Sequence, residues 1–223
     1  MKTIRIGSRI IGEGQPCFII AEIGVNHNGS MKIAKKLIDM AVEAGADCVK
    51  FQMRNLNALY KKDALEDTLK EDLSVQYTIS LLKKFHLSTE QMKELAEYSA
   101  QKGIMFMCTP WDKPSVDELE KIGVPAYKLA SADMTNMDLL DYVSKTGKPI
   151  IISTGMSTVG EIEKAVNFLR ERKAEFVILH CNSTYPAPYK DINLRFMLEL
   201  KKYGAPVGYS GHERGISVSE AAV

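Results

Sequence analysis

The sequence predicts an α/β fold of the TIM type, a (β/α)8 barrel that is cut short after its seventh strand and preceded by an N-terminal hairpin. Three observations lead to this prediction. Short apolar segments alternate with amphipathic helical segments, the apolar segments number seven, and most of them end on a polar or ionisable residue. Strict alternation of strand and helix indicates a parallel sheet with right-handed connections. Polar residues at the carboxyl ends of the strands are typical of catalytic barrels.

The strands are predicted from periodicity. Residues 1–14 alternate between apolar and polar side chains, which predicts the hairpin, and residues 15–223 form the incomplete barrel. Continuous apolar runs predict parallel strands that are buried on both faces. The seven runs are residues 17–23, 48–52, 104–109, 126–131, 149–154, 176–181 and 206–210.

Capping signals predict where helices begin between these strands. In a capping box, a Ser or Thr and a Glu or Gln three residues later bond each other's backbone N–H groups. The pattern occurs at Ser88…Gln91, Ser115…Glu118 and Thr158…Glu161. The alternation breaks only at residues 53–87, a long polar excursion whose charged part, 61–72, we interpret as a solvated loop or short helix.

An open doubly wound sheet would also accept seven strands. That fold carries a Gly-rich phosphate-binding turn after its first strand, and no such turn follows residue 23. A barrel needs eight strands, yet the chain ends inside a helix that begins near residue 216. We therefore expect a fragment of a longer natural chain, because an open barrel would expose two strand edges.

Composition argues against several kinds of partner. A net charge of +1, with Lys and Arg spread along the chain, gives no basic surface for nucleic acid or an acidic membrane. No apolar run approaches the ~18 residues of a membrane span, and the N-terminus lacks a signal peptide's apolar block, so we expect a cytoplasmic protein.

The four cysteines have no CxxC spacing and lie in or beside apolar runs, which predicts buried thiols in a reducing compartment. They are Cys17, Cys48, Cys108 and Cys181.

Polar residues cluster at the predicted strand ends. They are Glu22, Lys50, Gln52, Thr109, Lys128, Ser131, Asp133, Ser153, Thr154, His180, Ser183, Ser210 and His212. Lys50 and Lys128 are the most informative, because each is flanked by apolar residues in a central strand and would be buried without a partner. Inward-pointing lysines ringed by hydroxyls suit a ligand that brings negative charge, such as a phosphate with a carboxylate.

Each of these residues also has a structural interpretation. A hydroxyl at a strand end is commonly a helix cap, and a single His is commonly a satisfied structural residue. His27 lies in the first βα loop, where a helix cap explains the local sequence and contact with a substrate is the alternative. Trp111, the only tryptophan, follows the third strand and is interpreted as a cover for the barrel mouth.

Six segments, in order from about residue 15 to the end of the chain, carry a family resemblance. They are FIIAEIGVNHNGS, GADCVKFQ, YKLASADMTN, PIIISTGMSTVGEIEKAV, LHCNSTYPAPYKDINL and GYSGHERG. Together they resemble the N-terminal barrel of the sialic acid synthase family. These enzymes condense phosphoenolpyruvate with an N-acetylated aldose to make nonulosonic acids. The resemblance therefore implies a transferase of carbohydrate biosynthesis that binds two small molecules.

The resemblance assigns expected roles to the strand-end residues. The residues that it places around phosphoenolpyruvate are Lys50, Thr109, Lys128, Ser131, Ser153, Ser183 and Ser210. Those that fall where the family contacts the aldose are Gln52, Asp133 and Tyr185. Glu22 falls at the carboxylate of the first strand, a candidate for handling the attacking water, and we count Glu22, Lys50, Lys128 and Asp133 as the catalytic group.

The resemblance also implies a metal and a partner subunit. His212 matches one of two histidines that hold a divalent metal, usually Mn²⁺ with Mg²⁺ as the alternative, and the second histidine lies beyond Val223. Family members are typically homodimers whose barrel is followed by an antifreeze-like domain, and that domain lies outside this chain. The sequence departs from the family at two positions: Asp133 is often Glu in bacterial relatives, and Ser183 is Asn in some.

Two rival functions remain open. Another phosphoenolpyruvate-dependent synthase, making a 3-deoxy-ulosonic acid from a phosphorylated sugar, would share the barrel, the lysines and the metal. It would need a further basic cluster for the sugar phosphate, and only Arg54 and the loop lysines are candidates. The chain could instead be a non-catalytic barrel fragment or binding module. The aldose is not determined by the sequence, and we expect this truncated chain to be inactive alone.

Overall fold

The computed structural model of the chain describes residues 3–62, 65 and 79–223. The chain divides into two compact units, Ile19–Val124 on the one hand and Met1–Phe18 with Pro125–Val223 on the other. Most of the charged stretch 61–72, for which a solvated loop or short helix was predicted, lies outside the described residues.

The unit Ile19–Val124 contains three parallel strands in sequential order. They are β3 (Ile20–Glu22), β4 (Cys48–Met53) and β5 (Met105–Pro110). Its helices are α1 (Met31–Glu43), α2 (Leu56–Leu59), α3 (Ile79–Phe85), α4 (Thr89–Gln101) and α5 (Lys113–Ile122). The register aligns Glu22 with Lys50 and Gln52 with Thr109, so the polar strand ends come side by side.

Two of the three predicted capping boxes are confirmed, and the third is wrong. Ser88 and Gln91 form the box that begins α4, and Thr158 and Glu161 form the one that begins the helix Val159–Glu171. At α5 the N-cap is Asp112, whose carboxylate accepts a hydrogen bond from the backbone N–H of Ser115. Ser115 therefore lies within the first turn. The helix begins earlier than predicted because Asp is a strong N-cap and Pro is favoured in the first turn.

The other unit contains the predicted hairpin, β1 (Ile4–Ile6) paired antiparallel with β2 (Arg9–Ile11). Its parallel strands follow in sequential order. They are β6 (Tyr127–Leu129), β7 (Ile150–Ser153), β8 (Phe176–Cys181) and β9 (Val207–Ser210). Its helices are α6 (Met137–Ser144), α7 (Val159–Glu171), α8 (Phe196–Leu200) and α9 (Ser217–Ala222), with short 3₁₀ turns at Ser131–Asp133, Tyr189–Asp191 and Lys201–Tyr203.

The central strands are buried and apolar on both faces, as the continuous runs predicted. Ile150, Ile151 and Ile152 of β7 are each at most 2% exposed. Helix α7 packs its apolar stripe inward through Ile162 and Val166, which are both buried. At roughly 25 cal/mol for each Å² of apolar area removed from water, such burial supplies the main driving force for folding.

The prediction of four buried thiols is correct for three cysteines and wrong for one. Cys48, Cys108 and Cys181 are buried, whereas Cys17 is exposed, and none of the four forms a disulfide. The reason is that β3 begins only at Ile20, so Cys17 lies in the irregular segment that precedes the strand. Within the described part of the chain, no helix is long and apolar enough to cross a membrane.

Candidate active site

The first polar cluster surrounds Lys50 in the unit Ile19–Val124. Lys50 is 8% exposed, and its ammonium forms an ion pair with the carboxylate of Glu22 at the end of the neighbouring strand. It also donates a hydrogen bond of 3.4 Å to Thr109 Oγ1 on the other neighbouring strand. A buried cation requires such partners because desolvation of an unpaired charge is costly. The parallel register thus brings three predicted site residues together.

Gln52 lies two residues further along β4, on the same face as Lys50 because side chains alternate along a strand. Its Nε2 donates to the carbonyl oxygen of Gly24 at 3.0 Å, and its Oε1 accepts from Arg54 Nη2 at 2.7 Å. The Arg54 guanidinium lies over the indole of Trp111, 4.2 Å from the ring centroid. Both ends of the Gln52 carboxamide are therefore held by protein groups.

The second polar cluster surrounds Lys128 in the unit that contains Pro125–Val223. Lys128 is 6% exposed, and its Nζ donates to Ser153 Oγ at 2.6 Å and to the carbonyl oxygen of Leu129 at 2.7 Å. Ser153 ends β7, next to β6, and is itself 2% exposed. Each of these two bonds satisfies an ammonium hydrogen with a neutral oxygen and does not cancel the positive charge.

Gly155 follows β7 and is enclosed by the hydroxyls of two predicted site residues. Its backbone N–H donates to Ser131 Oγ at 3.1 Å. A Cβ atom at this position would lie 2.3 Å from Ser183 Oγ and 2.8 Å from Ser131 Oγ. Only glycine therefore lets these two hydroxyls converge on the backbone, where an N–H group and hydroxyl donors are suited to an anion.

His212 lies beyond β9 between a thiol and a phenol. Its Nδ1 is 2.6 Å from the carbonyl oxygen of Asn182 and 3.7 Å from Cys181 Sγ, and its Nε2 is 2.7 Å from the Tyr185 hydroxyl. The Tyr185 and His212 rings stack with centroids 3.9 Å apart. Since a ring nitrogen that faces a carbonyl must donate, Nδ1 carries the proton and Nε2 accepts from Tyr185.

The contacts of His212 shift its pKa and that of the neighbouring thiol. Burial by itself would lower the pKa of His212, but the hydrogen bond and charge of Cys181 and the carbonyl of Asn182 outweigh it and raise the pKa. Burial would likewise raise the pKa of Cys181, and hydrogen bonds with His212 and Ser131 outweigh it and lower the pKa. Each group therefore favours the charged form of the other.

The metal prediction was tested against the donor groups around His212. An imidazole nitrogen is a suitable ligand for Mn²⁺, and Nε2 of His212 carries the lone pair that a metal would need. Among the described residues, however, no group of three or more His, Cys, Asp or Glu side chains is placed to hold a metal ion. These residues alone therefore do not complete a metal site.

Other predicted strand-end residues have local partners. Asp133 lies in a 3₁₀ turn and accepts a hydrogen bond from Asn136 Nδ2 at 3.0 Å. Ser210 ends β9 opposite Cys181 of β8.

His180 faces the helix side of β8, where Nε2 is 2.6 Å from the Ile192 carbonyl oxygen and the ring contacts Phe196. These contacts give His180 a structural role, but its Nδ1 is buried without a hydrogen-bond partner among the described residues. Alternation along the strand explains why His180 and Cys181 face opposite ways.

His27 is also buried, with 1% of its surface exposed. Its Nδ1 accepts from the backbone N–H of Gly29 at 3.0 Å, and the ring stacks on Phe51. Burial lowers the pKa of His27 to about 4, so the ring is neutral near pH 7. These contacts give His27 a structural role, but the N-cap of α1 is Ser30, so the predicted helix cap does not involve the His27 side chain.

Sequence reasoning missed two residues that contact the predicted site residues, Cys181, which was interpreted as a plain buried thiol, and Gly155, which was assigned no role. Arg54 was considered only as a candidate for a sugar phosphate, and Trp111 only as a cover for the barrel mouth, so the contacts of Arg54 with Gln52 and Trp111 were not predicted. A partial signal existed for Arg54, which lies two residues after Gln52 and so shares its face of the strand. The contact of Arg54 with Trp111 joins residues far apart in the chain, and no local pattern encodes it.

Comparison with known proteins relates this geometry to a family. The model of the NeuB family matches residues 37–223. The N-acetylneuraminate-9-phosphate synthase of Homo sapiens is 38% identical over 218 residues, which cover 96% of this chain and 61% of that protein. The N,N'-diacetyllegionaminic acid synthase of Campylobacter jejuni is 42% identical over 212 residues, which cover 92% of this chain and 63% of that protein.

A solved structure is similar over almost the whole chain. The N-acetylneuraminic acid synthetase of Leptospira borgpetersenii, crystallised in complex with citrate, has a TM-score of 0.89 at 36% identity over 99% of this chain and 74% of that one. This similarity confirms the predicted fold class, an α/β barrel of the TIM type with an N-terminal hairpin. The chain spans about three fifths of the length of the curated relatives named above.

Proposed function

Since the chain belongs to the NeuB family, we propose that it is the barrel part of a nonulosonic acid synthase. The enzyme condenses phosphoenolpyruvate with an N-acetylated aldose, such as N-acetylmannosamine, and releases phosphate. Relatives named as N-acetylneuraminate-9-phosphate and diacetyllegionaminic acid synthases support this class of reaction. They differ in their products, so the aldose is a separate and finer part of the proposal.

The observation that carries the proposal is the surroundings of Lys128. A buried ammonium bonded to Ser153 lies in the same unit as a glycine N–H that is enclosed by the hydroxyls of Ser131 and Ser183. Phosphoenolpyruvate brings a phosphate and a carboxylate, and charge-assisted hydrogen bonds from such donors are the strong ones. We assign the recognition of this anion to Lys128 and these serines, while Lys50, Thr109 and Ser210 keep the anion-binding role that the family resemblance implies.

The proposed reaction joins C3 of phosphoenolpyruvate to the aldehyde carbon of the open-chain aldose. The aldehyde oxygen takes a proton and becomes a hydroxyl, while positive charge develops at C2 of the former enol. Water adds to C2 and loses a proton, and the resulting C2 hydroxyl gives up its proton as the C2–O bond to phosphate breaks, which leaves a ketone at C2 and inorganic phosphate. Basic groups that stabilise the phosphate oxygens lower the barrier because they act where charge develops.

Glu22 and Gln52 are assigned to water and aldose respectively. The carboxylate of Glu22 is oriented by Lys50 and by the backbone N–H of Gly24 at 3.1 Å, so one oriented oxygen can accept a proton from the attacking water. Gln52, Asp133 and Tyr185 are proposed to hold the aldose. Proximity and orientation of two bound reactants supply a large part of the rate enhancement in such bimolecular reactions.

Two further parts of the proposal concern the metal and the assembly. We propose that His212 contributes one ligand to a divalent metal, with Mn²⁺ expected, and that the remaining ligands come from groups other than those described above. When bound, such an ion supplies a Lewis acid.

We also propose a homodimer for the intact protein. Light scattering on the product of the full reading frame measures this directly, and a monomeric mass would contradict it.

The first experiment is phosphate release from phosphoenolpyruvate with a panel of aldoses. The panel contains N-acetylmannosamine, its 6-phosphate, a diacetamido hexose and phosphorylated aldoses that lack an N-acetyl group. The assay is run with Mn²⁺ and with chelator, on this chain and on the product of the full reading frame. We expect metal-dependent release with an N-acetylated aldose by the full product. Release only with a phosphorylated sugar that lacks the N-acetyl group would favour the 3-deoxy-ulosonate synthase. If none of the sugars gives phosphate release, the binding module would be favoured.

A further inference from the structure

The carboxamide of Gln52 is held in one orientation by two partners of opposite chemistry. Arg54 Nη2, 2.7 Å from Oε1, belongs to a guanidinium, which can only donate. The carbonyl oxygen of Gly24, 3.0 Å from Nε2, can only accept. An inverted carboxamide would place a donor against a donor and an acceptor against an acceptor. The two partners together therefore exclude the inverted orientation.

Trp111 holds in place the Arg54 guanidinium that orients the Gln52 carboxamide. The Arg54 guanidinium carbon lies 4.2 Å from the indole centroid, within the distance at which a cation over an aromatic face is attracted. Trp111 itself is anchored by its backbone N–H, which donates to the carbonyl oxygen of Met53 at 3.1 Å. All of these groups lie in the unit Ile19–Val124. An arginine side chain that is already stacked and hydrogen-bonded loses less conformational freedom when a ligand binds than a mobile arginine does.

We propose that Arg54, stacked on Trp111, is a positioning residue that determines which end of the Gln52 carboxamide meets the aldose. This inference rests on the proposed function, in which Gln52 contacts the aldose. One Nε2 hydrogen is used by Gly24, so the second hydrogen is the donor that Gln52 offers to the sugar. The group it recognises is an acceptor, of the kind supplied by an acetamido carbonyl or a hydroxyl oxygen.

The test separates the two substrates kinetically. In the product of the full reading frame, Arg54→Met removes the donor and the charge but keeps an unbranched side chain beside Trp111. We expect the KM for the aldose to rise roughly 3- to 10-fold, the effect of one mispositioned hydrogen bond. The KM for phosphoenolpyruvate should change less than about 2-fold, because Arg54 has no assigned contact with it. Arg5→Met, on the exposed edge of the hairpin, is the matched control and should change neither constant.

Conservative variants and a double-mutant cycle distinguish positioning from general support of the fold. Trp111→Phe keeps an aromatic face and should retain most of the aldose affinity, whereas Trp111→Ala should resemble Arg54→Met. In a Gln52→Leu background, Arg54→Met should cause no further rise in the KM for the aldose. Equal rises in both KM values, or additive effects of the two substitutions, would overturn the proposal.

A readout without substrate keeps this inference distinct from the proposed function. With ¹⁵N-labelled glutamine, the side-chain amide resonances of Gln52 should shift or broaden in Arg54→Met and stay unchanged in Arg5→Met. Unchanged Gln52 resonances in Arg54→Met would overturn the orienting role of Arg54, whatever the activity. A shifted resonance in a protein that releases no phosphate with any aldose would support that role and contradict the proposed function instead.

Discussion

The two lysine clusters differ in how each buried ammonium is held. Lys50 is paired with a carboxylate, that of Glu22, while the hydrogen bonds from Lys128 to Ser153 and the Leu129 carbonyl go to neutral oxygens. An ion pair balances charge within the protein, whereas neutral acceptors satisfy hydrogens and keep the cation's field. Similar sequence contexts, a lysine inside an apolar strand, therefore lead to different hydrogen-bond partners.

One histidine from each unit, His27 and His212, shows a similar contrast. Burial alone lowers the pKa of His27, whereas the contacts of His212 with Cys181 and Asn182 raise its pKa against the effect of burial. The unit with Lys50 thus contains a balanced pair and a neutral ring, and the unit with Lys128 contains an imidazole that holds its proton more tightly. The proposed anion binding is therefore tested first at the Lys128 cluster.

The largest expected effect follows from deleting that ammonium. Lys128→Met should lower kcat/KM for phosphoenolpyruvate by at least about 100-fold, the loss typical of removing one group that stabilises transition-state charge. Phosphate release measures this, and far-ultraviolet circular dichroism checks that the barrel remains folded. The control is Lys93→Met, at a lysine exposed on α4. Unchanged turnover in Lys128→Met would remove Lys128 from the catalytic group.

The next prediction concerns stability and compares an ion pair with a neutral hydrogen bond. Glu22→Gln leaves the nearly buried Lys50 without its counter-charge and should lower the free energy of unfolding by about 1–3 kcal/mol. Ser153→Ala removes a neutral acceptor from Lys128 and should cost about 1 kcal/mol. Urea denaturation measures both values. A larger loss in Ser153→Ala would reverse the comparison between the two clusters.

Gly155 offers a test of the hydroxyls near Lys128. Gly155→Ala should raise the KM for phosphoenolpyruvate about 10-fold, because the new methyl group must displace the hydroxyls of Ser183 and Ser131. Gly160→Ala in α7 is the matched control, since a Cβ there meets no atom within 4 Å. That change should leave the KM unaltered and stabilise the helix by up to about 1 kcal/mol. A Gly155→Ala enzyme with wild-type KM would show that these hydroxyls do not contact the anion.

The last prediction is a dependence of stability on pH through His27. The folded pKa is about 4, below the ordinary value of 6.5, so the unfolded chain binds the proton first as pH falls. Stability should therefore be fully present above pH 6.5 and be lost progressively between pH 6.5 and 4. His27→Gln, which keeps an acceptor for the Gly29 N–H, should flatten this part of the profile of melting temperature against pH. An identical profile in the variant would assign the acid sensitivity to other groups.

Local patterns predicted the elements well and some boundaries poorly. Capping chemistry located the starts of α4 and α7 because the two partners lie three residues apart in the chain. The same reasoning failed at α5, where Asp112 competes with Ser115 and only the folded backbone shows which of them caps. Cys17 was misplaced because an apolar run shows that a strand exists but not the residue at which it begins.

By itself, the sequence determined the alternation of strand and helix, the hairpin, the polar strand ends and the family. It did so because periodicity, capping and motif order are properties of neighbouring residues. The tertiary structure alone decided that Lys50 pairs with Glu22, that Ser131 and Ser183 enclose Gly155, that His212 lies beside Cys181 and that Arg54 stacks on Trp111. These partners are far apart along the chain, and strand register and side-chain packing bring them into contact.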